Sequence, residues 1–306
     1  MNILITGASG FIGSNLAEYL KAAGDYIIGT YNSREPEYGL DKAVHCNLAS
    51  AELAKCFDDM KIDAIVHLAG HMRGDRICDY LDNTVNATRE LIKLAERQNV
   101  SKFIYISSIS VYGETCSEVN ENSDRVNLDD YGTAKYICER MLEDSEIASR
   151  IVIRQPRTLG KRCDLSYPWL PKTSDRMLKG EIVYYTNPDL MYNNLLYVQD
   201  FSDFMLKLLH DSMEGFYRFG LGAKDKMSIL DILRCMKKNL NSSSELVERK
   251  QAGKNTCYAI DISYAESYGF RPRSAEETIV QFCKDVMWEN KKYDGENMQG
   301  DKAENL

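Results

Sequence analysis

The chain lacks paired cysteines, and this absence excludes two classes of protein. Its nine cysteines are scattered, and no two stand in a Cys-x-x-Cys pair. Zinc-ribbon and thioredoxin-like proteins depend on such pairs, so neither class fits. We expect reduced, mostly buried thiols and a cytoplasmic protein.

The chain also lacks an excess of basic charge and any long apolar run. Lys and Arg total 38 against 46 Asp and Glu, a net charge of −8, which argues against a nucleic-acid partner. No run approaches the roughly 20 apolar residues that span a membrane, so we expect no membrane association. The amino terminus has no basic segment before a long apolar one, so we expect no signal peptide. The four histidines are dispersed and predict no metal site.

Short apolar runs alternate with segments of helical periodicity over the first half of the chain. Strands are predicted at 3–6, 26–30, 43–46, 64–68, 103–107 and 150–154, with helices after the first strand and at 79–98 and 130–145. Strict alternation of strand and helix indicates an α/β fold, a doubly wound parallel sheet with helices on both faces. Such sheets bind ligands at the carboxyl ends of their strands.

The alternation weakens after residue 158, which suggests a division of the 306 residues. We predict a nucleotide-binding domain over 1–158 with about 191–212. A smaller mixed α/β substrate-binding region is predicted over 159–190 and 213–290. The polar stretch 291–306 has almost no apolar residue and is predicted to be a disordered tail.

A glycine-rich turn joins the first strand to the first helix. In the Gly7–Gly13 segment, the first glycine allows a tight turn, the second lets the backbone approach a pyrophosphate, and the third allows close helix packing. The helix N-terminus then offers free N–H groups to the anion. The predicted contacts with a dinucleotide are Gly7, Ser9, Gly10, Phe11, Ile12 and Gly13.

The end of the second strand bears on the choice of cofactor. An acidic residue here would bind the ribose hydroxyls of NAD, but the chain has Asn32, Ser33 and Arg34, with no carboxylate before Glu35. A guanidinium suits a 2′-phosphate. We therefore predict NADP(H), bound through Asn32, Ser33 and Arg34, with NAD(H) as the alternative. Asn47 and Leu48, after the third strand, are further candidate cofactor contacts.

A tyrosine and a lysine stand four residues apart on the predicted helix at 130–145. Tyr131 and Lys135 share one helix face, and a nearby cation favours the phenolate form of a tyrosine. Such a pair can move a proton at an alcohol or carbonyl. The hydroxyls of Ser107, Ser108 and Ser110 follow the fifth strand, on the same edge of the sheet as the glycine turn. We expect one of them to bind the substrate oxygen.

Together these motifs resemble the extended short-chain dehydrogenase/reductase superfamily, in its NAD-dependent epimerase/dehydratase branch acting on nucleotide sugars. The resemblance covers about residues 1–285. Its motifs are Gly7–Gly13, His67-Leu68-Ala69-Gly70, Asp82–Thr88, Ser108–Gly113, Tyr131–Lys135, Arg154-Gln155-Pro156 and Tyr197–Asp200.

The resemblance implies a Rossmann fold and assigns roles to residues of this chain. Ser108, Tyr131 and Lys135 correspond to the catalytic residues, and Lys135 also to the ligand of the nicotinamide ribose. The other implied cofactor contacts are Leu68, Ala69, Gly70, Asn83, Ser107 and Pro156. It also implies a homodimer, in which the helices at 79–98 and 130–145 pair across a two-fold axis, and a part in making cell-surface polysaccharides.

The residues after Ser108 narrow the implied reaction. The family's dehydratases carry Asp-Glu there, its decarboxylases carry Glu, and its GDP-fucose-synthase-like members carry Cys two positions on, whereas this chain has Ile109 and Ser110. Of the family's reactions, hydride transfer at carbon 4 of the sugar is the one that remains. We predict an NADPH-dependent 4-keto-sugar reductase, because of Arg34, with an NAD-dependent 4-epimerase as the alternative. A non-catalytic nucleotide-binding protein and a reductase of non-sugar carbonyls stay open.

The residues that would bind the substrate match the family pattern less well than those that would bind the cofactor. The family's arginine before Val198 is replaced by Asn193 or Asn194, so another cation must bind the diphosphate. The basic candidates are Arg73, Arg157, Lys161, Arg162, Lys172 and Arg176. His71, Ser110 and Asn193 complete the predicted substrate contacts.

Overall fold

A computed structural model describes residues 1–36, 39–70, 76–115, 117–167, 169–250 and 259–303, with side chains up to residue 290. Its first half alternates strands and helices as the sequence predicts. The elements in order are β1 (Asn2–Thr6), α1 (Phe11–Ala22), β2 (Tyr26–Tyr31), β3 (Lys42–His45), β4 (Ala64–His67), α2 (Ile77–Asp79), α3 (Asn86–Arg97), β5 (Lys102–Ser108), α4 (Asp130–Glu143) and β6 (Ser149–Gln155). Single turns of 3₁₀-helix lie at Leu53–Phe57 and Ile109–Tyr112.

The second half contains shorter strands and further helices. They are β7 (Arg157–Leu159), α5 (Leu170–Leu178), β8 (Val183–Tyr185), β9 (Met191–Tyr192), β10 (Leu195–Tyr197), α6 (Val198–His210), β11 (Gly215–Gly220), β12 (Met227–Ser228), α7 (Ile229–Asn239), β13 (Leu246–Glu248), α8 (Ser263–Ser267) and α9 (Ala275–Ala303). None of the helices in these ranges is long and apolar enough to cross a membrane.

Seven strands form one parallel sheet in the order β11-β6-β5-β4-β1-β2-β3. The chain runs outward from β1 through β2 to β3 and then returns to place β4 on the other side of β1. This reversal opens a crevice at the carboxyl ends of β1 and β4, where such folds bind their ligands. The predicted doubly wound α/β fold is confirmed.

Residues along each strand alternate between two apolar layers. Ile3 and Ile5 face one layer, which includes Leu16 of α1 and Phe204 of α6. The intervening Leu4 faces the other layer, which includes residues of α3 and α4. A third cluster joins α5, α7 and α9 in the later part of the chain. Burial of each such side chain contributes about 1.5–3 kcal/mol, so the strand edge that carries the site is held from both sides.

Three features differ from the sequence prediction. β11 pairs with β6 in the central sheet, whereas the sequence placed 213–290 in the substrate-binding region. Its apolar residues join the core under α6, including fully buried Phe219. A π-helical segment, Tyr80–Val85, interrupts the single helix predicted over 79–98. α9 continues to Ala303 through the predicted disordered tail, because a packed helix start can be extended by polar residues.

Candidate active site

A cleft of about 1510 Å³ opens at the carboxyl edge of the sheet. It extends from the glycine turn after β1 to β8 and α7 in the later segments. The predicted site residues that line it are Gly7, Ser9, Gly10, Phe11, Ile12, Gly13, Asn32, Ser33, Asn47, Leu48, Leu68, Ala69, Gly70, Asn83, Ser107, Ser108, Ser110, Tyr131, Lys135, Pro156 and Arg157. One cleft therefore brings together the motifs for phosphate binding and for proton transfer.

The glycine turn after β1 is closely packed against the start of α1. Gly10 precedes the helix in an extended conformation without a side-chain cap, and the first turn of α1 has no acidic residue. A Cβ on Gly13 would lie 2.2 Å from the carbonyl oxygen of Gly7, and Gly7 itself has a φ of +70°. The uncapped N–H groups and the absence of side chains form a cradle that fits a dinucleotide pyrophosphate.

Arg34 differs from its predicted position. The strand β2 ends at Tyr31, and the next two residues, Asn32 and Ser33, occupy this part of the cleft wall. Arg34 is exposed and is not part of the wall. Arg34 therefore directly follows two residues that line the cleft but does not itself line it.

The start of α4 is held against the turn that follows β5. Asp129 caps the helix by accepting a 2.7 Å hydrogen bond from the amide of Gly132. A Cβ on Gly132 would lie only 2.4 Å from the carbonyl oxygen of Ser110. This close approach places Tyr131 beside the serines of the turn, as the sequence predicts for the two motifs.

Lys135 is buried one helical turn after Tyr131. Its Nζ donates a 2.9 Å hydrogen bond to the carbonyl oxygen of Ile106 and lies 5.9 Å from the centre of the Tyr131 ring. Burial lowers the pKa of Lys135 to about 8, and the nearby Cys138 and Glu139 partly oppose this shift. The ammonium group is therefore charged at neutral pH and close to its titration.

The three serines of this segment have different partners. Ser107 donates a 2.7 Å hydrogen bond to the buried carboxylate of Glu139. Ser108 accepts from the amide of Ser110 at 3.1 Å and donates to the Ser110 hydroxyl, also at 3.1 Å. Ser107 thus has a structural partner, while Ser108 and Ser110 form a pair of hydroxyls in the cleft wall.

The π-helical segment carries Asn83 into the same wall. The amide of Asn86 bonds the carbonyl of Leu81, five residues back, which is one residue more than an α-helical turn. The Asn83 side chain donates to the carbonyl of Asp79 at 2.9 Å. The ring of Tyr80 lies 5.9 Å from that of Tyr131.

His67 is a supporting residue whose role the sequence did not reveal. It lies fully buried between Thr6 Oγ1, 2.7 Å from its Nδ1, and Thr88 Oγ1, 3.0 Å from its Nε2. Thr6 in turn accepts from the amide of Ala69 at 3.1 Å. Burial lowers the pKa of His67 to about 3, so the ring is neutral. The ring links β1 to α3, and Thr6 links β1 to the loop after β4.

The substrate end of the cleft departs from the prediction at several positions. Asn193 is buried, and its side chain bonds the backbone of Ala223 and Ile260, so its neighbour Asn194 lines the cleft instead. Arg176 lies outside the wall, 4.0 Å from Glu181. His71 and Arg73 lie outside the described residues. No group of three potential metal ligands occurs among the described residues.

Two cations line the substrate end. Arg157, which the sequence singled out, is half-buried at the start of β7, with its guanidinium 5.3 Å from the ring of Tyr167. Arg249, which the sequence did not single out, lies 3.5 Å over the ring of Tyr184. The parallel pairing of β13 with β8 brings Arg249 to the cleft, and no local motif signals that pairing.

Comparisons with known proteins agree with this fold. A UDP-glucose 4-epimerase of Haemophilus influenzae is 25% identical over 325 residues, covering 92% of this chain and 96% of that protein. The structure of a UDP-glucose 4-epimerase from Thermotoga maritima, with UDP-glucose, matches with a TM-score of 0.80 at 22% identity, covering 94% and 99% of the two chains. That of Bordetella bronchiseptica WbmG, with NAD and UDP, matches with a TM-score of 0.81 at 21% identity, covering 95% of each.

The family model for the NAD dependent epimerase/dehydratase family matches residues 3–218. This range contains the phosphate cradle, Ser108 and the Tyr131–Lys135 pair. The resemblance inferred from the motifs is thereby confirmed, and the chain belongs to the NAD dependent epimerase/dehydratase family of enzymes.

Proposed function

We propose that this protein is an NAD-dependent 4-epimerase of nucleotide sugars. The observation that carries the proposal is the convergence of Ser108, Tyr131 and Lys135 on a cleft that also holds the phosphate cradle. Ile109 and Ser110 supply neither the acid nor the base that elimination or decarboxylation would need. The cleft exceeds the roughly 300–1000 Å³ of a site for one small ligand, which suits a cofactor and a substrate together.

Tyr131, Lys135 and Ser108 have different roles in the reaction at carbon 4 of the sugar. Tyr131, as the phenolate favoured by the Lys135 cation, takes the proton of the 4-hydroxyl, and Ser108 donates a hydrogen bond to the same oxygen. NAD⁺ in the cradle would supply a hydride acceptor that later returns the hydride. Tyr131 gives the proton back when the 4-keto sugar is reduced from its other face, and the net reaction is inversion at carbon 4.

NAD is preferred to NADP in this proposal. The prediction of NADP and of a reductase relied on Arg34, which is exposed and outside the cleft wall. WbmG, a structural neighbour, binds NAD with UDP. We expect NADH to bind at least tenfold more tightly than NADPH in fluorescence titrations, and Arg34→Gln to change NADH binding less than threefold. Equal or tighter binding of NADPH would contradict this choice.

A nucleoside diphosphate fits the outer part of the cleft. Arg249 is exposed and stacked on Tyr184, so its charge is available to a diphosphate at the entrance. The curated relative from Haemophilus influenzae is a UDP-glucose 4-epimerase, which favours UDP as the nucleotide. Asn194, in the wall beside Arg157, offers an amide to the substrate.

The decisive experiment supplies UDP-glucose, UDP-N-acetylglucosamine and UDP-glucuronic acid, each with NAD⁺ and no added reductant. We expect one of them to be converted to its 4-epimer, detected by proton NMR, and Tyr131→Phe to slow that conversion at least 1000-fold. Consumption of NADPH with a 4-keto-6-deoxy nucleotide sugar would instead favour the reductase. Binding of both ligands without turnover would favour a non-catalytic nucleotide-binding protein. If no nucleotide diphosphate raises the melting temperature, a reductase of non-sugar carbonyls is favoured.

We also propose that the protein is cytoplasmic. The seven described cysteines are all free, which suits the reducing cytoplasm.

We propose a homodimer through the helices α3 and α4, near which Ile77 and Leu81 are exposed. Light scattering should give twice the monomer mass, and a Leu81→Lys variant should weaken the association; a monomer at micromolar concentration would contradict this arrangement.

A further inference from the structure

Arg157 is a half-buried cation in the cleft that has no carboxylate partner among the described residues. Its neighbours include the ring of Tyr167, 5.3 Å from the guanidinium, and the side chain of Asn194, which accepts from the Arg157 backbone amide at 3.3 Å. Neither supplies a negative charge. A partly desolvated guanidinium of this kind is suited to an anion that arrives with a ligand.

The nearby carboxylate in the cleft wall is already engaged. Asp164 accepts a 2.8 Å hydrogen bond from the amide of Ser166, and bonds with Ser166 hold the pKa of Asp164 below its usual range. Arg162 forms a two-pronged pair with Glu18, and the cleft wall does not include Lys161, Arg162, Lys172 or Arg176. Among the described residues, Arg157 is therefore the predicted diphosphate-binding candidate that lines this part of the cleft.

The position of Arg157 relates it to the reacting sugar. Gln155 of β6 is paired with Ser108 of β5 in the sheet register, and Arg157 follows two residues later. Two residues span at most about 7 Å, so the guanidinium is within side-chain reach of a group bound at Ser108. Tyr167 lies close to both Arg157 and Tyr131. Burial raises the pKa of Tyr167, and the charges of Arg157 and Tyr131 both affect that pKa.

Arg249 occupies a different part of the cleft. It is exposed beside Tyr184 at the pairing of β8 with β13, whereas Arg157 is half-buried beside the catalytic residues. Two cations in two places suit two anionic groups of one substrate. The outer cation suits the diphosphate, and the inner one suits a negative charge on the sugar itself.

We propose that the substrate is a nucleotide hexuronic acid, and that Arg157 binds the carboxylate of its sugar. This inference rests on the proposed function, because it concerns the substrate of the same site. The planar guanidinium can bind a carboxylate through two parallel hydrogen bonds, which a neutral hydroxymethyl group cannot form. Arg157 thus acts as a specificity-determining residue.

The test compares UDP-glucuronic acid, UDP-glucose and UDP alone by calorimetric binding and by kcat/KM. We expect the wild-type protein to prefer UDP-glucuronic acid to UDP-glucose by about 100-fold, and Arg157→Gln to reduce this ratio to about 1 to 5. Arg157→Lys should restore part of the ratio, since it keeps the charge but loses the two-pronged geometry. Arg162→Gln, which changes an arginine outside the cleft, is the matched control and should leave the ratio unchanged.

The outcomes separate this inference from the proposed function. If Arg157→Gln weakens UDP alone as much as UDP-glucuronic acid, Arg157 binds the diphosphate and the inference is wrong. Wild-type preference for UDP-glucose would also overturn it. If UDP-glucuronic acid binds with the expected Arg157 dependence but is never epimerised, the inference stands and the proposed epimerase activity fails. Thermal unfolding of each variant shows whether it is folded.

Discussion

At the scale of single residues, the site depends on ionisable groups whose burial changes their behaviour. Tyr131 and Lys135 are visible in the sequence as a pair with helical spacing. The structure adds that Lys135 is almost fully buried and that its Nζ donates a hydrogen bond to the carbonyl oxygen of Ile106. A sequence pattern cannot show the depth of burial, which sets the pH range over which the cation is present.

Lys135 leads to a prediction about the pH dependence of activity. Since burial lowers its pKa to about 8, we expect kcat/KM to fall as the pH rises above about 8 and the ammonium loses its proton. Lys135→Arg keeps its charge at high pH, so any residual activity of that variant should not fall in this range. A wild-type profile that stays flat to pH 10 would count against this assignment.

His67 leads to a prediction about the pH dependence of stability. Its folded pKa of about 3 lies below the unfolded value of 6.5, so the unfolded state binds more protons between these values. The free energy of unfolding should therefore fall as the pH drops below 6.5, by up to about 1.4 kcal/mol per pH unit from this group. Urea unfolding at pH 7 and pH 5 measures the loss, and His67→Asn should show a smaller one. An equal loss in both proteins would refute the contribution.

At the scale of secondary-structure elements, the site depends on how closely α4 meets β5 and the turn after it. Gly132 allows the contact with the carbonyl oxygen of Ser110, and the buried Glu139 holds the same helix to β5 and β6. The sequence predicts the helix and both strands almost to the residue. It does not predict the contact distances, because these depend on the packing of the two layers around the sheet.

Gly132→Ala tests the close approach of α4. The added Cβ would lie 2.4 Å from the Ser110 carbonyl oxygen, so the helix start must move away and carry Tyr131 from Ser108. We expect kcat to fall at least 100-fold while the affinity for NADH, measured by fluorescence, changes less than threefold. Thr133→Ala on the same helix is the control and should keep most of the activity; a fully active Gly132→Ala would show that the approach is unnecessary.

Replacement of Glu139 tests the contribution of the buried Glu139–Arg154 ion pair to stability. Both of its oxygens accept from Arg154, at 3.1 and 2.8 Å, and both side chains are fully buried. Replacing one partner leaves an uncompensated buried charge, so Glu139→Gln should lower the free energy of unfolding by about 3–5 kcal/mol. The double variant Glu139→Leu with Arg154→Met should lose less than Glu139→Gln, as urea unfolding can measure. Equal losses would mean that the unpaired charge is not the cause.

At the scale of the whole molecule, the order of strands decides where the cleft lies. The reversal between β1 and β4 opens the crevice, and β11 extends the same sheet from a segment that the sequence had assigned to the substrate region. The later segments, including β8 and α7, add further residues to the cleft wall. A cleft made from both halves of the chain should be stabilised as a unit by its ligands.

Cofactor binding should therefore raise the stability of the whole protein. At a free NAD concentration 100 times its Kd, a ligand that binds only the folded state adds about 2.7 kcal/mol to the free energy of unfolding. We expect a clear rise in melting temperature with NAD, and its loss in Gly13→Ala, where the new Cβ would lie 2.2 Å from the Gly7 carbonyl oxygen. An undiminished rise in that variant would argue against the glycine cradle as the binding site.

The sequence by itself predicted the strand–helix alternation, the glycine-rich turn and the Tyr131–Lys135 pair, because periodicity and short motifs are local properties of a chain. The choice of Ser108 among the three serines came from the family resemblance. Only the tertiary structure decided that Arg34 lies outside the cleft, that Asn193 is buried, and that β11 joins the central sheet. It also brought Arg249 to the entrance. These features depend on which distant segments pair and pack together, and residue type at one position does not carry that information.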